Sequence, residues 1–184
     1  TNERNSEIQV QEAEAAFKEA GIETVVKGIS STNDVQDTTK SLMSQTEALF
    51  IPADNTIVSA ITLVTDLSKE MKVPVVGGSV DVVDDGVLFT YGADFEALGR
   101  QTAKMAIRIM NGEKVGDISA EDPETLKAVA NKEMAQLLGI DISAIEQEEQ
   151  TNAQAKKTTQ KSSSAKNTAN PKVNSLSKTK SSDS

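Results

Sequence analysis

The chain has 184 residues, with 28 Asp and Glu against 19 Lys and Arg, a formal charge of −9, and neither Cys nor His. These counts exclude disulfides, thiolate chemistry and histidine-based acid–base or metal chemistry, and the length suits one ordinary domain. The acidity is uneven: residues 151–184 hold seven Lys and a single Asp, leaving residues 1–150 at about −15, a balance that argues against nucleic acid as a partner.

The first residues run directly into a helical pattern, as though the chain began in the loop after a strand, and the sequence reads as a fragment or processed product. Ser6 to Ala20 places Ile8, Ala13, Ala16, Phe17 and Ala20 on one helical face, with Asn5 and Ser6 as the cap and Gly21 as the stop. Ile22 to Ile29, built around Val25 and Val26, reads as a strand; Ser30 to Asp34 then caps a helix from Val35 to Gln45. Ala48 to Ile51 is a short, continuously apolar run ended by Pro52, the pattern of a strand buried on both faces. Asp54, Asn55 and Thr56 open an amphipathic pattern to Met71, carried by Ile57, Ile61, Val64, Leu67 and Met71.

Val73 to Gly78 is a further strand, with Pro74 at its start, followed by the polar turn Ser79-Val80-Asp81. Val87 to Gly92 is another, and Asp94 caps a helix to Met110 whose apolar face is Phe95, Leu98, Met105 and Ile109. Its polar stripe, Glu96, Arg100, Lys104 and Arg108, is expected to be solvated, and Gly99 within it to mark close packing on a neighbour. A polar linker, Gly112 to Pro123, leads to a strand at Leu126–Ala130, then a helix capped by Asn131 and stopped at Gly139. Residues 147–184, rich in Lys, Ser, Thr and Asn, are expected to be disordered, a solubilising tail or one that touches anionic polymers.

Alternating strands and helices predict an α/β fold, a parallel sheet with helices on both faces. In such sheets ligands lie at the carboxyl ends of strands, and two successive ends here are polar, Asp54-Asn55-Thr56 and Ser79-Val80-Asp81. Each of these residues also has a purely structural reading as a helix cap or turn.

Four stretches taken together, Asn5-Ser6, Ile51 to Thr56, Val73 to Gly78 and Leu98 to Ala106, resemble the substrate-binding proteins of ABC transporters, in the subfamily associated with tryptophan and other aromatic amino acids. The resemblance runs from about Asn5 to Ile142 and implies the type I periplasmic-binding-protein fold, two lobes closing on a ligand. It implies that this chain is incomplete, a second lobe with part of the first. Residues 1–92 are then the ligand-binding second-lobe region, 93–146 the crossover region with a first-lobe helix, and 147–184 the tail. The helix from Asp94 would lack its partners and expose its apolar face.

For an amino-acid ligand, Asp54 and Asp81 suit an ammonium, while Asn5 and Ser6 at a helix N-terminus suit a carboxylate, and Asn55, Thr56 and Ser79 offer neutral donors. Tyr91 could stack on an aromatic ligand or simply pack. The resemblance further implies an importer permease as partner, an exported location with a lipid anchor outside this chain, no cofactor, no metal and no catalytic residue. A lone lobe is expected to bind weakly or not at all. Two alternatives stay open: a ligand-sensing domain of a transcription regulator, which shares the fold, and a hydrolase using Asp54 and Asp81 as paired carboxylates.

Overall fold

The computed structural model describes residues 3–147. The expected tail therefore falls almost wholly outside the described residues. Within them lie helices α1 (Arg4–Glu19) and α2 (Thr32–Met43), strand β1 (Leu49–Ile51), helices α3 (Asn55–Ser59) and α4 (Ile61–Met71), and strand β2 (Val75–Gly77). A 3-10 turn (Val80–Val83) leads to β3 (Phe89–Ala93), α5 (Phe95–Met110), β4 (Leu126–Ala130) and α6 (Lys132–Leu138). The strands form one open sheet in the order β1-β2-β3-β4.

The expected α/β class stands. Leu49, Ile51 and Val75 point to one side, into a core with Val35 and Leu42 of α2 and Ile61, Val64 and Leu67 of α4. Side chains alternate along a strand, so Phe50 points to the other side, where it meets Phe17 of α1 edge-on at 6.3 Å between ring centroids. Helices therefore cover both faces of β1. A second cluster, Leu88, Met134, Ala135 and Ile142, seats α6 beside β3 and β4.

The helix stops follow the sequence. Gly21 (φ +74°) closes α1, with Ile22 N donating to Phe17 O and Gly21 N to Lys18 O, and Gly139 (φ +69°) closes α6 by the same pair of bonds. At α2, the Asp34 carboxylate accepts from the Ser30 and Ser31 amides, and the first of these bonds holds its pKa below the usual carboxylate value.

Five local expectations are corrected. Residues 22–29 are extended but join no sheet, because the open edge of β1 lies across a cleft from them; Thr24, Val25 and Val26 keep the segment extended without a ladder. The single helix expected over 55–71 is broken at Ala60 (φ −116°, ψ 20°). There the β-branched run Thr56-Ile57-Val58 crowds a helix and the Ser59 hydroxyl turns to Thr56 O at 2.8 Å, while the apolar spacing continues unbroken across the joint.

The β4 strand is antiparallel to β3, pairing Phe89 with Ala130 and Ala93 with Leu126, while β1, β2 and β3 are parallel. The cause is that α5 does not cross back over the sheet. The linker returns along the helix instead: Gln101 donates to Asp122 O and accepts from Glu124 N, and the Asp94 amide donates to Thr125 O at the same end where the helix began. Arg108 is not a free member of a solvated stripe, since it forks onto Glu113 at 2.6 and 2.7 Å and reaches Glu121 at 3.3 Å. Arg100, by contrast, pairs only with Glu96 in solvent.

Gly99 has no neighbour within 4 Å of a notional Cβ, so it marks no close packing among the described residues. The apolar face of α5 is indeed open, with Phe95 53%, Ile107 55% and Met110 84% exposed.

Candidate functional site at the carboxyl ends of the strands

The chain turns sharply at Pro52 after β1 and at Gly78 after β2, and α1 lays its first three turns across both exits. Gly78 is there because nothing larger fits: a Cβ would lie 2.9 Å from Gln9 Oε1, 3.1 Å from Ala53 N and 3.2 Å from Pro52 Cα.

Asn5 and Ser6 do not cap α1. The cap position is Glu3, and the two side chains lie inside the first turn, turned toward the loop after β1. Asn5 Nδ2 donates to Ala53 O at 2.7 Å; Ser6 Oγ donates to Asp54 Oδ2 at 2.8 Å and shares its proton with Ala53 O at 3.2 Å. Asp54 is 2% exposed and caps α3, its Oδ1 accepting from Thr56 N at 2.9 Å and Ile57 N at 3.1 Å. The cap reading of Asp54 is thus realised in full, and its carboxylate is an anchor between three segments.

Asn55 is exposed, and both its backbone and side-chain nitrogens donate to the Glu3 carboxylate. Thr56 is half-buried in the first turn of α3. Ser79 and Asp81 follow Gly78 directly; the Ser79 hydroxyl donates to Asp81, whose side chain is exposed. All seven predicted residues therefore belong to one loop cluster, tied by α1 around the Ala53 and Gly78 turns. Of them, Asp81 offers the exposed carboxylate, whereas Asp54 is committed to backbone amides and Ser6.

Two participants were not anticipated. Gln9 Oε1 accepts from Ala53 N at 2.7 Å and Gln9 Nε2 reaches Gly78 O at 3.5 Å, stitching the two strand exits together. Its spacing was readable, one turn beyond Asn5 on the same helical face. Glu3, which holds Asn55, carries no such signal. Tyr91 is 52% exposed on β3 and packs no core.

Glu3, Asp54 and Asp81 make this end acidic, suited to an ammonium group. Among the described residues no cluster of three or more His, Cys, Asp or Glu is arranged for a metal.

Known proteins share this architecture. The chain is 33% identical over 138 residues to the tyrosine-binding protein of Clostridioides difficile (strain R20291), a match spanning 75% of this chain and 40% of the relative. An ABC domain from Streptococcus pneumonia, solved in complex with L-Trp, is 32% identical with a TM-score of 0.72, over 80% of this chain and half of that one. A ligand-free, open substrate-binding protein with adhesive properties from Clostridium difficile gives 31% identity and a TM-score of 0.64, over 77% of this chain and 48% of that one. The chain thus spans about half the length of these relatives or less. Since a sequence model of the family described as ABC transporter substrate binding protein also matches residues 1–158, this chain belongs to that family.

Proposed function

We propose that the chain contributes to binding an aromatic amino acid of the tyrosine or tryptophan type, as the substrate-binding component of an ABC importer, working with a permease on the outer side of the cell membrane. The observation that carries the reading is the likeness at 32–33% identity to a tyrosine-binding protein and to an L-Trp complex. The acidic loop cluster after β1 and β2 supports it.

In this reading Asp81 accepts the ligand ammonium, with Ser79 orienting its carboxylate. Asn55, Thr56 and Asn5 supply polar contacts, and Ser6 and Asp54 hold the loop that presents them. Residues 1–92 carry these contacts, and residues 93–146 form the connecting region between lobes. No covalent chemistry, cofactor or metal is involved. The paired-carboxylate alternative gains nothing from the geometry, since Asp54 is buried and occupied in capping α3.

A cluster on one side of a ligand gives weak binding, with an expected Kd of about 1 mM. Saturation-transfer NMR with tyrosine, tryptophan and phenylalanine should show saturable contact, glutamate should show none, and Asp81→Asn should weaken it about tenfold, as loss of a charge-assisted bond requires. Equal signals from glutamate, or silence from all three aromatics, would overturn the reading.

A further inference from the structure

The open edge of β1 has a partner-shaped space beside it. Leu49 N donates to Pro74 O and Ile51 O accepts from Gly78 N, so these two residues face β2. Peptide groups alternate along a strand, and Phe50 between them therefore directs its N–H and C=O away from the sheet. Across a cleft of about 1150 Å³ lies the extended segment 22–29. Residues 23–29 make no backbone hydrogen bond among the described residues, and 22–28 are all exposed.

The cleft is apolar on both broad sides, with Val10, Ala13 and Phe17 of α1 on one and Val35, Leu42 and Val64 on the other. Only Ser6 of the seven strand-end residues lines it, so it is a different place from the cluster described above. An unpaired edge and a second unpaired extended backbone, enclosed between two apolar walls, are the two halves of a sheet from which the middle strand has been left out.

We propose that this cleft is a strand-acceptor site. It takes one extended peptide segment, apolar on both faces, lying parallel to β1, that pairs with Phe50 on one side and with the backbone of 23–29 on the other. Several features select a peptide over other occupants. The walls offer backbone donors and acceptors in two facing rows, the mode of β-strand addition, and side-chain specificity is confined to apolar contacts above and below. The chain passes from 22–29 through α2 into β1, the order of a parallel crossover, which leaves the added strand flanked by parallel neighbours. Its carboxyl end would emerge beside Pro52 and the start of α1, so polypeptide leading straight into α1 is the natural occupant. The inference does not rest on the amino-acid reading.

The probe is a capped peptide of six alternating Val and Ile residues flanked by Lys, added to the intact chain and followed by hydrogen–deuterium exchange. Exchange at Phe50 and across 23–29 should slow at least tenfold, while the same peptide N-methylated at alternate residues should have no effect. The Val25→Pro/Val26→Pro double variant, changed where the free protein makes no backbone bond, should keep its melting temperature and lose the effect.

Equal protection by the methylated peptide would reduce the site to apolar adsorption and overturn the proposal. So would protection by free tyrosine or tryptophan, which would make the cleft a small-molecule pocket. Protection already present in a self-associated form, seen by sedimentation, would make a second copy the occupant, and unchanged exchange at every amide would remove the site.

Discussion

Helices α4 and α5 are both amphipathic, both about as long as globular helices run, and both follow a strand, yet they have opposite fates. In α4 the apolar stripe is consumed: Val64 is 1% exposed, and Ile61 and Leu67 join it in the core with α2 and β1. In α5 the only buried residue is Gln101, and the apolar side chains face outward. Periodicity reports that a helix has a face to bury. It says nothing of whether another element arrives to bury it.

The sharpest way to break this contrast is to cut matching side chains. Leu67→Ala in α4 should cost about 2–5 kcal/mol by lost transfer and a residual cavity, measured by urea unfolding. A cost below 1 kcal/mol would mean that the α4 side is as loosely packed as α5. Next comes Gly78→Ala, where the added methyl meets the Ala53 amide and Pro52 backbone that α1 clamps; about 1–3 kcal/mol is expected, because backbone cannot yield as a flexible side chain would.

The two caps sharpen the comparison further. Asp54 and Asp94 are each 2% exposed and each accept two backbone amides at a helix start. Replacing either by Ala should cost about 0.5–2 kcal/mol. Asp54→Ala should lower the global transition, because its loop joins α1 to the core, while Asp94→Ala should mainly speed amide exchange within α5. Ile107→Ala should stay within about 0.5 kcal/mol of the parent, as for surface positions; a larger loss would show that α5 is covered in solution.

The smallest effect is electrostatic. Asp34 has its pKa lowered by the Ser30 amide, so its contribution is present above the ordinary carboxylate pKa and lost as pH falls through the lowered value. Asp34→Asn should therefore flatten the acid limb of the stability curve, below about pH 4, and leave the neutral region little changed.

Glycines show how far sequence reading reaches. Gly21 and Gly139 stand where a helical pattern ends, and a left-handed stop is a local property. Gly99 and Gly78 were both ambiguous: the first was expected against a neighbour and stands in open space, the second followed a strand as a seemingly flexible hinge and is jammed against three atoms. What a missing Cβ permits depends on what approaches it, and that is decided by distant residues.

The site divides in the same way. Polar strand ends at Asp54 and Asp81 were legible because a short apolar run stopped by Pro52 or Gly78 is a local pattern. That α1 would reach across with Glu3, Asn5, Ser6 and Gln9 to tie them was not, since it joins residues about 45 to 70 positions apart. The amino-acid sequence by itself determined the α/β order, most helix stops and the polar strand exits, all set by contacts within a few residues. Only the tertiary structure decided the antiparallel return of β4, the break at Ala60, and the separation of 22–29 from β1. Strand pairing and helix cover are long-range choices, made where the surfaces of separate elements meet.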